Sequence, residues 1–306
     1  MPTLVTKQKS FKFTNDDSYM RKLKDLMPLE LERIKERILQ LRESGLSYSE
    51  IRNVINAEFD VSISKATALR WCKGTHDPFN KTKRVNLSPS PELAYIIGVY
   101  LGDASLSQTA RYQYRIRLKV VDRDFAESFE NALKSIGANP RTGFEHNSGR
   151  TDRWWIEVTN KELFMFLKGP KERLFEIARV YPREFLRGFF DSEGSAIVYP
   201  NRVRVEASNY DLEVLELCKE LLERLGIHSK IYKTKRKGQT VVIRGKEYQY
   251  NSDLFTLRIY RQDSVYRYTV EVGFTIQRKQ TPLLQYFKLL KHDNTKSFEN
   301  TTKSTP

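Results

Sequence analysis

Two cysteines, Cys72 and Cys218, are all the thiol chemistry in this 306-residue chain, and their separation suggests neither a disulfide framework nor a thiolate zinc site. Histidine is scarce too: His76, His146, His228 and His292 have neither the clustering nor the spacing of a histidine-metal centre. No apolar run reaches the roughly 20 residues of a membrane span, and the N-terminus has no apolar signal core. A cytoplasmic location with no membrane partner is therefore expected. Acid is the minority charge, with 38 Asp and Glu against 53 Lys and Arg, which leaves a net charge of +15. An excess of that size points to a polyanion as partner, because neutralising phosphates releases their counterions. What the chain does have is core material: 39% hydrophobic and 12% aromatic residues fill globular domains.

Residues 1–27 read as a polar N-terminal arm. From Pro28, Leu29, Leu31, Ile34, Ile38 and Leu41 recur at helical spacing up to Gly45. Ser47 followed by Glu50 forms a capping box for a second helix with Ile51, Val54 and Ile55. A short third helix runs through Lys65, Ala68, Leu69 and Trp71. Three helices with tight turns over 28–76 predict a small all-α helix-turn-helix domain whose last helix enters the major groove. Its outward residues would be Ser64, Lys65, Thr67 and Arg70, with Ala66, Leu69 and Trp71 holding it to the others. Residues 77–90, with Pro78, Pro89 and the cations Lys81, Lys83 and Arg84, read as a linker able to track a phosphate backbone.

Beyond the linker the sequence repeats. Asp103 and Glu193, each near the end of an apolar helix, stand 90 residues apart. Asp122, Phe125, Phe129, Leu133, Ile136 and Gly137 match Asp211, Val214, Cys218, Leu222, Leu225 and Gly226 at a constant offset of 89. Two units follow, 91–180 and 181–291, each reading helix, strands, helix, strands, helix, and then a polar tail over 292–306. Along Tyr112–Val121 apolar Tyr114, Ile116, Leu118 and Val120 alternate with Arg115, Arg117 and Lys119, so one strand face is core and the other basic. Arg202, Arg204, Lys230 and Arg258 continue that basic face in the second unit. Lys233, Lys235, Arg236 and Arg244 belong to a basic hairpin turning at Gly238. Basic strand faces in both repeats predict a sheet surface for double-stranded DNA, with Arg favouring guanine edges.

The repeat-opening helices carry small-residue stripes, Gly98 and Gly102 in the first and Gly188 and Ser192 in the second, so two backbones can approach closely. Each helix then ends on an acid, Asp103 or Glu193, where the helix dipole is already negative. Bringing both ends together calls for a divalent cation, and Mg2+ prefers carboxylate, water and phosphate oxygens.

These two segments, Leu93–Asp103 and Phe185–Gly194, resemble the paired motifs of the LAGLIDADG homing endonucleases, over roughly residues 90 to 290. The resemblance implies an α+β fold of two αββαββα units related by a pseudo-twofold axis, forming a saddle over the major groove. It implies metal binding by Asp103 and Glu193, one acid per DNA strand, with Mg2+ or substituting Mn2+. The expected activity is a site-specific, staggered double-strand break with 3′ overhangs, as in intron homing, by a monomer. The stretch Phe274–Gln280 is similar to a family segment near the active site, and Lys119 is placed like the family's basic helper. For Gln277, Lys279 and Lys119, plain phosphate contact is the alternative to a catalytic role. Ala104 stands where the motif usually closes with glycine, and Leu101 where it can carry an acid. No lysine matches Lys119 in the second unit, where Glu206 to Ser208 stand. A non-cutting DNA-binding regulator or an RNA-splicing maturase on the same scaffold is the competing reading.

Overall fold

A computed structural model describes residues 20–76, 84–108, 113–146, 148, 151–243 and 245–302. Among the described residues no helix is long and apolar enough to cross a membrane. The chain divides into two units, Met1–Thr82 and Lys83–Pro306.

In the first unit α1 (Pro28–Glu43), α2 (Tyr48–Phe59) and α3 (Lys65–Cys72) surround a core of Ile34, Ile38, Leu41, Ile51, Ile55, Ala68 and Trp71. Proline at the first turn starts α1, where no N–H partner is needed. The Ser47–Glu50 box closes in both directions, at 2.8 and 3.3 Å. Leu29 departs from the expected stripe and lies exposed, because it sits one position off the row that Ile34, Ile38 and Leu41 bury. In α3 the inward alanine is Ala68 and not Ala66, and Ser64 caps the helix by accepting from Thr67 N–H at 3.1 Å. The end of the expected polar arm is structured: β1 (Arg21–Lys22) pairs in parallel with β2 (Val61–Ser62), and Leu26 is buried in the helical core.

The second unit runs α4 (Pro91–Leu101), β3 (Ser105–Gln108), β4 (Tyr114–Val120), α5 (Arg123–Ser135), β5 (Arg141–Glu145), β6 (Arg153–Thr159), α6 (Lys161–Leu167) and α7 (Lys171–Val180). The order then repeats as α8 (Pro182–Glu193), β7 (Gly194–Tyr199), β8 (Arg202–Asn209), α9 (Leu212–Arg224), β9 (Lys230–Lys235), β12 (Leu254–Ile259), α10 (Gln262–Glu271) and α11 (Gln277–Thr302), with the hairpin β10 (Thr240–Ile243) and β11 (Lys246–Gln249) inserted before β12. The two antiparallel sheets have matching orders, β3-β4-β6-β5 and β7-β8-β12-β9. Each repeat thus contains the expected αββαββ order and ends with two helices where one was read. Residues 84–90 are not a free linker: Val85 is buried in the repeat core, and Asn86 N–H donates to the Ile136 carbonyl at 2.8 Å. The tail read from His292 is helical as far as Thr302, as part of α11.

Alternation works as the pattern predicts. Ile116, Leu118 and Val120 of β4 and Val203, Val205 and Ala207 of β8 are buried, which turns Arg115, Arg117, Lys119 and Arg204 to the other face. Helix α4 is buried on every side from Leu93 to Val99, as a helix enclosed within a core must be.

Candidate active site

Helix α4 packs against α8, and glycine sets how closely. A Cβ at Gly98 would overlap the Phe185 carbonyl oxygen, and one at Gly188 the Tyr95 carbonyl oxygen. No flexible side chain could yield there, because the obstacle is backbone in both cases. At the far end a Cβ on Gly102 would lie 2.9 Å from Ser192 Oγ and 3.3 Å from Glu193 Cγ. The small-residue stripes therefore meet, and they deliver Asp103 and Glu193 to the same end of the helix pair.

The two carboxylates feel each other. Burial, reinforced by repulsion from Asp103 and opposed by Lys279, pushes the Glu193 pKa up to about 7. Asp103 is open to solvent on one side and crowded on the other, and the resulting desolvation raises its pKa against the pull of Lys279 and Arg153. Asn209 Nδ2 donates to Glu193 Oε1 at 3.1 Å and to the Leu101 carbonyl at 3.3 Å, tying the two helix ends together.

Beneath them lies a polar network that sequence reading missed. Asp191, 1% exposed, accepts from the Tyr95 hydroxyl at 3.0 Å and from the Thr275 N–H and hydroxyl at 2.9 and 2.6 Å. Burial nevertheless raises its pKa to about 6. Lys279 donates to the Asp191 and Phe190 carbonyls at 2.6 and 3.3 Å, placing a cation on the negative end of the α8 dipole. Desolvation lowers the Lys279 pKa, and Asp191 works against that shift.

A cleft of about 300 Å³ opens beside Asp103, lined among others by Lys119, Asp122, Arg153, Ser192, Arg278 and Lys279. Lys119 reaches it from β4 while donating to Glu145 Oε2 at 2.6 Å. Arg153 and Asn209 carried no signal in the sequence, since neither belongs to a motif. Gln277 is exposed at the start of α11 and does not line the cleft; its N–H donates to Asp124 at 2.6 Å.

The basic residues of the sheets fall into distinct settings. Arg115 and Arg117 flank Glu157, each at 3.7 Å, and Arg204 and Arg258 flank Glu206 at 3.4 and 3.1 Å. The Nε donors of Arg115, Arg117 and Arg204 have no hydrogen-bond acceptor among the described residues. Lys230 pairs in register with Arg258, and Arg202 lies over the Tyr199 ring. Lys233, three residues on, falls on the opposite face by alternation: it aligns with Phe255 and bonds Asp253 at 2.6 Å. Lys235 is half-buried, Arg236 is exposed, and Arg244 lies outside the described residues. On α3, Lys65 and Arg70 are exposed and Thr67 is half-buried.

Two acids are a thin donor set. Among the described residues no group of three His, Cys, Asp or Glu converges as a metal site. Mg2+ suits such a set, because it keeps several waters and takes one or two carboxylates together with phosphate oxygens. Repulsion between Asp103 and Glu193 is the interaction a cation would relieve.

A protein of Methanocaldococcus jannaschii named only as uncharacterized is 46% identical over 267 residues, covering 86% of this chain and 96% of that one. A second uncharacterized protein of the same organism is 32% identical over 167 residues, covering 49% of this chain and 60% of that one. Among solved structures, I-DmoI in complex with DNA and Mn aligns at a TM-score of 0.43 and 17% identity, over 61% of this chain and 98% of that chain. Full-length DUF199/WhiA from Thermotoga maritima aligns at 0.46 and 17%, over 71% of this chain and 68% of that chain. The model of the LAGLIDADG-like domain matches twice, over residues 90–168 and 181–273, and the chain belongs to that family.

Proposed function

We propose that this protein is a divalent-metal-dependent, site-specific DNA endonuclease. The observation that carries the reading is the meeting of Asp103 and Glu193 at the end of a glycine-packed helix pair, each coupled to Lys279. A purely structural helix contact has no use for two mutually repelling acids at one end, Glu193 half-buried and Asp103 open to solvent on one side. Mg2+ bound there would supply charge for the scissile phosphates and a more acidic water. The protein's own groups do the rest. Asp103 and Glu193 would hold the ion, Asn209 orients Glu193, and Lys119, Arg153 and Lys279 would offset charge growing on the phosphate oxygens. Arg115, Arg117, Arg202, Arg204, Lys230 and Arg258 would bind the duplex over the sheet faces. The small helical unit would add contacts through Lys65, Thr67 and Arg70 of α3 as a helix-turn-helix.

Selection of cleaved sites from a random duplex library with Mg2+ tests the reading, and a defined product with both ends recovered is the expected result. Asp103→Asn and Glu193→Gln should each lower cleavage by at least about a hundredfold while leaving binding in EDTA within about threefold. Wild-type binding with no cleavage would instead establish a DNA-binding protein on this scaffold. Removing residues 1–82 should weaken binding and flatten its salt dependence with cleavage retained, as read by filter binding at several salt concentrations.

A further inference from the structure

The repeats can be aligned residue by residue, and the alignment sets the two half-sites side by side. Asp122 receives a two-pronged bond from Arg278, at 2.9 and 2.8 Å, and its repeat counterpart Asp211 receives Lys171 at 2.5 Å. These bonds attach the start of α11 to the first repeat and the start of α7 to the second. In the sheets Lys119 aligns with Trp155, and Ser208, three residues before Asp211 as Lys119 is before Asp122, aligns with Thr256. Ser208 is thus the counterpart of Lys119. Arg153, two residues before Trp155, likewise corresponds to Leu254, two before Thr256.

The consequence is one-sided charge. The cleft at Asp103 has Lys119, Arg153 and Lys279 around it. In the other half the positions of Lys119 and Arg153 hold Ser208 and Leu254. Ser208 is committed to a hydroxyl chain, 2.8 Å to Thr256, which lies 3.1 Å from Thr234. Glu193 shares Lys279 with Asp103 and has a neutral donor, Asn209, where Asp103 has Arg153.

Resting on the nuclease reading above, we infer that the two half-sites are chemically unequal and that the enzyme nicks the strand at the Asp103 cleft first, releasing a nicked duplex before a double-strand break. In each cut a water oxygen bonds to phosphorus, the bond to the 3′ oxygen breaks and a proton passes to that oxygen. Negative charge builds on the phosphate meanwhile, and cations beside it lower the barrier. Lys119 and Arg153 stand on one side alone, whereas Lys279 is shared by both acids.

The test uses the full chain and a supercoiled plasmid carrying a site enriched by binding, in EDTA, from a randomised duplex library. With Mg2+, nicked circles should accumulate, and end-labelling should show one strand cut at least about tenfold faster. Lys119→Met should slow that strand and leave the other unchanged, which a general folding defect would not do. A second readout needs no cleavage: a neutral methylphosphonate at the preferred scissile position should weaken binding in EDTA by about tenfold, and at the opposite position by much less. Lys119→Met should shrink that difference. Linear product without a nicked intermediate, or equal methylphosphonate effects, overturns the inference and leaves the nuclease reading standing. Failure to cut either strand removes both.

Discussion

At the residue scale, the most informative pair of positions is one where the repeats disagree in identity and agree in chemistry. Arg117 faces Glu157 across β4 and β6, and in the other sheet Glu206 faces Arg258 at the matching places. The charges have changed strands and the ion pair has survived. Each acid also meets a second arginine, Arg115 or Arg204, so each sheet presents two guanidiniums restrained by one carboxylate. Such a group limits indiscriminate attraction to phosphate while keeping the arginines extended across the face. Glu157→Gln removes the restraint. It should tighten binding to random-sequence DNA and steepen the plot of log affinity against log salt by up to about one unit, because one more cation becomes available to phosphate. Unchanged slope by filter binding would show that Glu157 does not govern those arginines. Positions of this kind were legible as basic strand residues; their partners were not, because cross-strand register is set by tertiary packing and leaves no mark at fixed sequence spacing.

Among the elements, α11 connects the most parts of the site. Its first turn bonds Asp122, the N-cap of α5, and Asp124 within it, through Arg278 and the Gln277 N–H, while Lys279 caps the carbonyls at the end of α8. Arg278 holds the Asp122 carboxyl below its ordinary 3.8, chiefly by hydrogen bonding. A depressed carboxylate stabilises the fold above its unfolded pKa, and the contribution drains away as pH falls through the folded value. Arg278→Met should therefore lower stability near neutral pH by about 1 kcal/mol, discounted for the exposure of the arginine, and Tm by about 2–4 °C. The gap to wild type should narrow as pH falls below 3.8, and a gap independent of pH by thermal denaturation would refute the assignment. Helix α11 also marks where sequence reading stopped. The paired helices, both acids and the alternating strands announced themselves through periodicity and repetition. The Tyr95–Asp191–Thr275 network did not, since Asp191 is an acid inside an apolar helix and its partners are 96 and 84 residues away. Leu29 and Ala66 were misread for a simpler reason: helical phase over a few residues does not say where the apolar face ends.

For the whole molecule, the arrangement of the closing helices decides how the repeats are joined. The last helix of the first repeat, α7, bonds the second repeat: Lys171 to Asp211 and Glu213, and Arg179 to Glu220. The first turn of α11 bonds the first repeat in return. Together with the buried α4–α8 contact, these crossed attachments hold the halves by surfaces that do not depend on peptide continuity at Tyr181. Two separate polypeptides, 1–181 and 182–306, should on coexpression copurify as a one-to-one assembly, and recovery of either alone would contradict this. Physically, the tether between the repeats raises the concentration of one half around the other and fixes their ratio at unity. It thereby permits what no symmetric pair of identical chains could keep: a lysine on one side and a serine on the other.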